Sequence, residues 1–238
     1  MANREIYSGR FFLDLTVGLV QTLKNISKVR DVEAKSYVPC QTAQINAWEA
    51  ANGVRLPSDM KKFYQSTDGL NVQWTYQYSK LETHRVGHLK IPRLAELRNL
   101  KLNIPEKVFE IDSIGDVAKI YLVYLTSGIT IPKIYLVESA NMKGHLLADS
   151  FATYFRMSIA HLGLPHWQLA FASCGLPGWA EQLFLLLAPH LLDRDDTPPR
   201  PNQIVYNVLD PDIFLPHPIR TDNIVRVLCK AKKIKKYS

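Results

Sequence analysis

His84 and His88 stand four residues apart, the spacing that on a helix turns two imidazoles toward one metal ion. Here they fall where a loop enters a strand, and no carboxylate or cysteine joins them. Surface or partly buried histidines are therefore expected. Asp112, Gly115 and Asp116 touch the pattern of a calcium loop, but the alternating acids and the closing glutamate of that loop are missing, so a β-turn is expected. Asp193, Asp195 and Asp196 could pair as catalytic carboxylates. They sit beside Pro-rich sequence at a helix end, which reads as a solvated charge cluster. Cys40, Cys174 and Cys229 are far apart and odd in number, which gives neither a disulfide framework nor a zinc spacing, and buried free thiols are expected. The glycines are scattered singly, without GxGxxG, GxxxxGK[ST] or GxSxG. These residues point to a binding or scaffolding domain rather than an enzyme, with no catalytic residues, no metal and no cofactor.

Two further groups could carry binding. The first is aromatic. Trp48, Trp167 and Trp179 fall on apolar helix stripes and read as core. Trp74 lies on the apolar face of a strand and also reads as core, with a partner-binding platform as its second role. The helix from Trp179 to Ala188 is apolar nearly all round, so it must be buried or face a partner, and Trp179 stays a partner-binding candidate. The second group is basic. The net charge is +7, but Arg220 to Ser238 holds seven basic residues against Asp222, so that stretch alone carries +6. Arg226, Lys230, Lys232, Lys233, Lys235 and Lys236 are the candidates there for electrostatic attachment to an acidic polymer. The remainder of the chain is nearly neutral, which argues against a broad basic face and against nucleic acid as the partner.

The elements that position these groups can be read from periodicity. Phe12, Leu15, Leu19, Leu23 and Ile26 repeat at helical steps. A charged stretch to Ser36 follows, read as a connector. Pro39 opens a second helix that ends at Asn52-Gly53, and Ser58 to Gln65 is a third, with Met60, Phe63 and Tyr64 inward. Leu70, Val72, Trp74, Tyr76 and Tyr78 then alternate with polar residues, as a half-buried strand does. Further strands are expected at Val86–Ile91, Val108–Asp112, Val117–Leu125, Lys133–Val137 and His145–Leu147, with a short helix at 94–100. The run IYLVYL is apolar on both faces, as in a covered central strand. Asp149 reads as the N-cap of a helix carrying Phe151, Tyr154, Phe155, Ile159 and Leu162. Pro165 opens another, with Trp167, Ala170, Phe171 and Cys174 on its stripe. Six of the 14 prolines lie beyond residue 197, so the end of the chain reads as an extended arm. No run approaches the ~18 apolar residues needed to cross a bilayer, and no signal peptide opens the chain, so a cytosolic protein is expected. The division expected is 1–36 N-terminal helix and connector, 37–194 folded α+β domain, and 195–238 arm and basic tail, with helices packed on a largely antiparallel sheet.

The run INAWEAANGVRLPSDMKKFYQSTDGLNVQW resembles the core signature of the SUKH superfamily: a helix with an aromatic-acid pair, then LP, a helix with an aromatic near its end, a [DN]-G turn and a strand. That group includes yeast cell-wall-assembly regulators and bacterial toxin-immunity proteins. EIDSIGDVAKIYLVY and DSFATYFRMSIAHLGLPHWQLAFASCG are similar to the subunit 2 family of the tubulin polyglutamylase complex, with HLGLPHWQ the most distinctive run. The late Leu209-Asp210-Pro211 before a basic end is similar too. The likeness covers most of residues 37–175 and fades between Gly175 and Val208. It implies a SUKH-like fold and a non-catalytic scaffold or targeting subunit. The implied partners are a tubulin-tyrosine-ligase-like glutamylase and the other subunits, with tubulin or microtubules reached through the basic tail. The implied location is cytoplasmic and cytoskeletal, at microtubules, centrosome, centriolar satellites or ciliary base. The alternative is a stand-alone SUKH interaction module with an unrelated partner.

Overall fold

The computed structural model describes residues 16, 18–100, 106–124 and 131–192. Among the described residues, five helices and two antiparallel sheets make up an α+β fold. The helices are α1 (Leu19–Asn25), α2 (Thr42–Asn52), α3 (Ser58–Ser66), α4 (Phe151–Ala160) and α5 (Gly178–Leu187). The strands are β1 (Val29–Ser36), β2 (Leu70–Gln77), β3 (Thr83–Ile91), β4 (Arg98–Asn99), β5 (Lys107–Ile114), β6 (Ala118–Tyr124), β7 (Lys133–Glu138) and β8 (Gly144–Ala148). One sheet is ordered β1-β2-β3 and the other β4-β5-β6-β7-β8. Short 3-10 turns at Leu94–Glu96, Trp167–Phe171 and Pro189–Leu191 connect them.

Several polar residues hold the helix-turn-strand run together by fastening backbone groups. α2 starts at Thr42, three residues after Pro39, and the N–H of its N-cap Gln41 donates to Gln44 Oε1 at 2.7 Å. It stops at Gly53, which takes a φ of 65°. Glu49 accepts from the Leu56 N–H at 2.6 Å and pairs with Lys61 at 2.9 Å, fixing α2 against α3. α3 buries Met60, Phe63 and Tyr64, and the Phe63 ring meets Phe151 and Phe155 of α4 edge-on. Asp68 then accepts from Arg93 Nε at 2.9 Å and the Leu94 N–H at 2.8 Å, while Gly69, at φ 95°, lets the turn pass the Ile91 carbonyl. The Asp-Gly signal thus folds the end of β3 back beside the start of β2.

β2 alternates buried and half-buried residues along its whole length, as its sequence period demands. The stretch read as a connector is in fact strand β1, paired with β2 from Val29↔Tyr76 to Ser36↔Leu70. Only Val29 of that strand is fully buried, so its period-two pattern is invisible in the sequence. The helix expected at 94–100 is a 3-10 turn followed by the two-residue β4. Phe12 and Leu15 of the first expected helix lie outside the described residues, and Leu19 and Leu23 of α1 are core.

β6 is covered on both faces. Ile120, Leu122 and Tyr124 join the main core, and Tyr121 and Val123 join a smaller cluster with Val108, Tyr135 and Val137. α4 is capped by Ser150, whose Oγ accepts from the Thr153 N–H at 3.1 Å, and by Asp59 of α3, which accepts from the Ala152 N–H at 2.8 Å. Asp149, the cap expected from sequence, instead pairs with Lys133 at 2.8 Å. The N-cap role expected of Asp149 is filled by its neighbour Ser150, and a carboxylate from a distant helix takes a further N–H of the first turn.

Trp74 closes the first sheet. It is 1% exposed, and its ring lies over Gly87, where the β2–β3 register shifts. A Cβ at Gly87 would coincide with the indole ring. Gly87→Ala is therefore expected to displace Trp74 and destabilise the fold by about 3 kcal/mol, read by urea denaturation. An unchanged midpoint would contradict the packing described.

Candidate interaction surface

The run HLGLPHWQ joins the helical half of the chain to both sheets. After α4, Leu162 and Gly163 turn left-handed at φ 57° and 66°. The Leu162 carbonyl accepts from Trp74 Nε1 at 2.8 Å, and the Gly163 carbonyl accepts from the His88 N–H at 2.8 Å. A Cβ at Gly163 would press the His88 and Leu89 backbone at 3.2 Å, so this close approach needs glycine. His161 stacks on Trp167 at 4.5 Å and its Nδ1 donates to the Met157 carbonyl at 2.7 Å, while burial lowers its pKa. The distinctive motif is thus first a structural joint. Pro165 does not open a helix: His166 is left-handed at φ 60°, and a 3-10 turn follows. That turn buries Trp167, Gln168 and Leu169, leaving Ala170, Phe171 and Cys174 of the expected stripe exposed.

Two carboxylates are anchored inside this joint. Asp112 belongs to β5, as the expected strand Val108–Asp112 had it, and the turn comes only at 115–117. A register shift after Glu110 brings it opposite Ile120, toward the core, where it accepts from Gln168 Nε2 at 3.3 Å and the Ser113 N–H at 2.8 Å. Burial pushes its carboxyl up to about 6. Glu138, at the end of β7, accepts from Ser173 Oγ at 2.6 Å, the Ser173 N–H at 2.8 Å, His145 Nε2 at 2.9 Å and Asn141 Nδ2 at 2.7 Å. Burial raises its pKa, but these four donors outweigh that and hold it at about 2. Ser173 and His145 share the carboxylate as separate donors and are not hydrogen-bonded to each other as a nucleophile and its base would be. The cluster ties the segment before α5 to the β7–β8 hairpin. No motif announces it, because its members lie 35 residues apart in sequence.

The other residues singled out by type are dispersed. His84 and His88 both lie on β3, where four residues span roughly 13 Å, too far for one metal ion. Cys40 is half-buried, and burial followed by its hydrogen bond to Asp68 pushes its thiol up to about 12. Cys174 is exposed, against the expectation of buried thiols. Trp74 takes the first of its two expected roles, core, with its indole facing Leu162 and Gly87 rather than solvent. Trp48 is half-buried against Phe109 at 5.1 Å, and Trp167 is core. Trp179 is corrected from core to surface, with 52% of it exposed. It opens the outer face of α5, which also presents Leu185 and Leu186, while Ala180, Leu183 and Phe184 point inward. The helix is therefore both core and open surface, one face each. Asp193, Asp195, Asp196, Cys229, Arg226, Lys230, Lys232, Lys233, Lys235 and Lys236 lie outside the described residues.

A helix pair, an Asp-Gly turn and a first antiparallel sheet, with a second sheet and helices packed behind, define a SUKH-type domain. Residues 39–157, half of the chain, match the SMI1 / KNR4 family (SUKH-1), and the chain belongs to it. Beyond that block it is similar to tubulin polyglutamylase complex subunit 2 of Rattus norvegicus, 28% identical over 235 residues that span 83% of this chain and 78% of that protein. It is likewise similar to the Homo sapiens subunit 2, 28% identical over 212 residues spanning 74% of this chain and 69% of that protein. No solved structure matches the chain.

The two carboxylates give opposite pH responses. Glu138 is depressed from 4.5 to about 2, so its stabilisation is complete above 4.5 and is lost as pH falls through 2. Asp112 is raised from 3.8 to about 6, so its contribution is complete below 3.8 and is lost as pH rises through 6. Denaturation midpoints against pH should show Asp112→Asn flattening the slope between 3.8 and 6, and Glu138→Gln flattening it below 4.5. Parallel curves for both variants and the parent would overturn these assignments.

Proposed function

We propose that this chain is a non-catalytic scaffold or targeting subunit of a tubulin polyglutamylase complex, supporting glutamylation of tubulin by a tubulin-tyrosine-ligase-like partner. The observation that carries the reading is the extent of the likeness to the subunit 2 proteins, which spans 83% of the chain and so reaches well beyond the half that the SUKH family accounts for. The exposed apolar face of α5, with Trp179, Leu185 and Leu186, supports it, because a helix face of this kind is what a stable complex buries. Trp is also enriched among residues that dominate interface energy. The reading places the protein in the cytoplasm, at microtubules, centrosome, centriolar satellites or ciliary base.

Purification of the tagged chain from native cells tests it. A tubulin-tyrosine-ligase-like enzyme should co-purify with the wild-type chain. Trp179→Glu with Leu186→Glu should reduce its recovery at least ~tenfold without lowering the thermal midpoint, as expected for loss of an interface anchor. Recovery of unrelated partners and no ligase would instead identify a stand-alone SUKH module. The tail is tested separately. Removing residues 226–238 should weaken co-sedimentation with microtubules, and the difference should vanish as salt rises, because the tail's charges act through screened electrostatics. Equal, salt-insensitive binding by both forms would remove the tail from the mechanism.

A further inference from the structure

The outward face of the first sheet follows from its register. Residues paired across neighbouring strands point to the same side. On β2 the outward row is Asn71, Gln73 and Thr75, because Val72, Trp74 and Tyr76 point into the core. Asn71 lies between Lys35 of β1 and Lys90 of β3. Thr75 lies between Arg30 and Arg85. Gln73, midway, lies between Glu33 and His88. All six flanking residues are exposed.

The four cations are unpaired among the described residues, where none of them forms an ion pair. Arg30 donates to its own neighbour's carbonyl at Val29, and Lys35 rests over the Tyr37 ring at 5.3 Å. After burial, Lys90 and Arg85 are the groups that lower the His88 pKa, which places both close to the centre of the face. The anions present are Glu33, Asp31, which accepts the Thr75 hydroxyl at 2.8 Å, and Asp112, which Lys90 influences from the β5 side. Two cationic rungs thus stand four β2 residues apart, roughly 13 Å, with a polar rung between them.

We infer that this face docks an extended glutamate-rich peptide, whose carboxylates meet the Lys35–Lys90 rung and the Arg30–Arg85 rung. Side chains four residues apart on an extended peptide share one side and also span roughly 13 Å, matching the separation of the two rungs. The middle row offers amides and a hydroxyl to a peptide backbone. The middle rung presents a single exposed ring, the His88 imidazole, and not the succession of aromatic rings on which a sheet stacks single-stranded bases. The inference deepens the proposed role by giving the domain itself, and not only its tail, a surface for acidic substrate chains. It rests on that role only for the identity of those chains. Peptide binding needs no other subunit, so its failure and a failure to co-purify with a ligase are separate results.

The experiment uses the full chain and a labelled decapeptide of glutamate, followed by fluorescence anisotropy. One variant neutralises the tail (Arg226, Lys230, Lys232, Lys233, Lys235 and Lys236 to Gln), and another the sheet (Arg30→Gln, Lys35→Gln, Arg85→Gln and Lys90→Gln). The tail variant should still bind, more weakly at ~0.3 M than at ~0.05 M salt, as screening requires. The sheet variant should lose at least ~tenfold in affinity, since it removes all four cations that face the peptide's carboxylates. Lys35→Arg with Lys90→Arg should bind as the parent does. Glu33→Gln removes the one repelling carboxylate of the middle rung and should tighten binding about threefold. Unchanged affinity in the sheet variant overturns the inference, as does complete loss in the tail variant alone, or tighter binding of a single-stranded oligonucleotide. If the sheet variant fails to fold, Glu33→Gln decides the matter: no tightening overturns it.

Discussion

The contact on which the rest depends is the seating of the α4–α5 connection against the first sheet. Trp74 donates its indole N–H to the Leu162 carbonyl, and the neighbouring Gly163 carbonyl takes the His88 N–H, which would otherwise face outward from β3. Both bonds need the left-handed turn at Leu162 and Gly163, and the indole needs the empty space at Gly87. A buried indole N–H left without an acceptor costs on the order of 1–3 kcal/mol, so ring, turn and glycine stand or fall together. This one joint gives an edge N–H of β3 its acceptor and leads the chain on to Gln168 and Ser173, which find their partners on the second sheet.

The polar groups inside the joint are not alike in their effect. Glu138 has four donors and is held ionised, so it secures the segment leading into α5. Asp112 has fewer partners, and burial prevails over them, so its ionised form is disfavoured. The difference follows from how many donors each position can gather. Glu138 sits where a hairpin and a loop converge, whereas Asp112 is drawn inward by a strand irregularity. With the loop secured, α5 can bury Ala180, Leu183 and Phe184 and still leave Trp179, Leu185 and Leu186 outside. The core therefore does not need the outer face of that helix, which is why it stays open to solvent.

Much of the frame was legible in sequence for local reasons. β2 alternates because one face is core, α3 repeats at helical steps, and Gly53, Gly69 and Gly163 mark places where the chain turns left-handed. The signature from Ile45 to Trp74 pointed to the SUKH family, and residues 39–157 match it. What was misread shares a different origin. β1 looked like a connector because only one of its residues is fully buried. Asp149 looked like a cap, but Ser150 and the distant Asp59 occupied the donors first. Trp74 and Trp179 sat on apolar stripes of similar quality, and the stripes could not tell which would meet a partner surface within the chain.

The sequence by itself determined the periods, the turns, the family and the placing of most net charge in the last residues, because each of these is written in near neighbours or in a simple count. Only the tertiary structure decided which apolar side chains are covered, where Asp112 and Glu138 find their donors, and how Arg30, Lys35, Arg85 and Lys90 come to share one face. The last case shows the reason most plainly. A nearly neutral domain can still concentrate cations, because strand register, a long-range property, selects which residues of three separate segments point the same way.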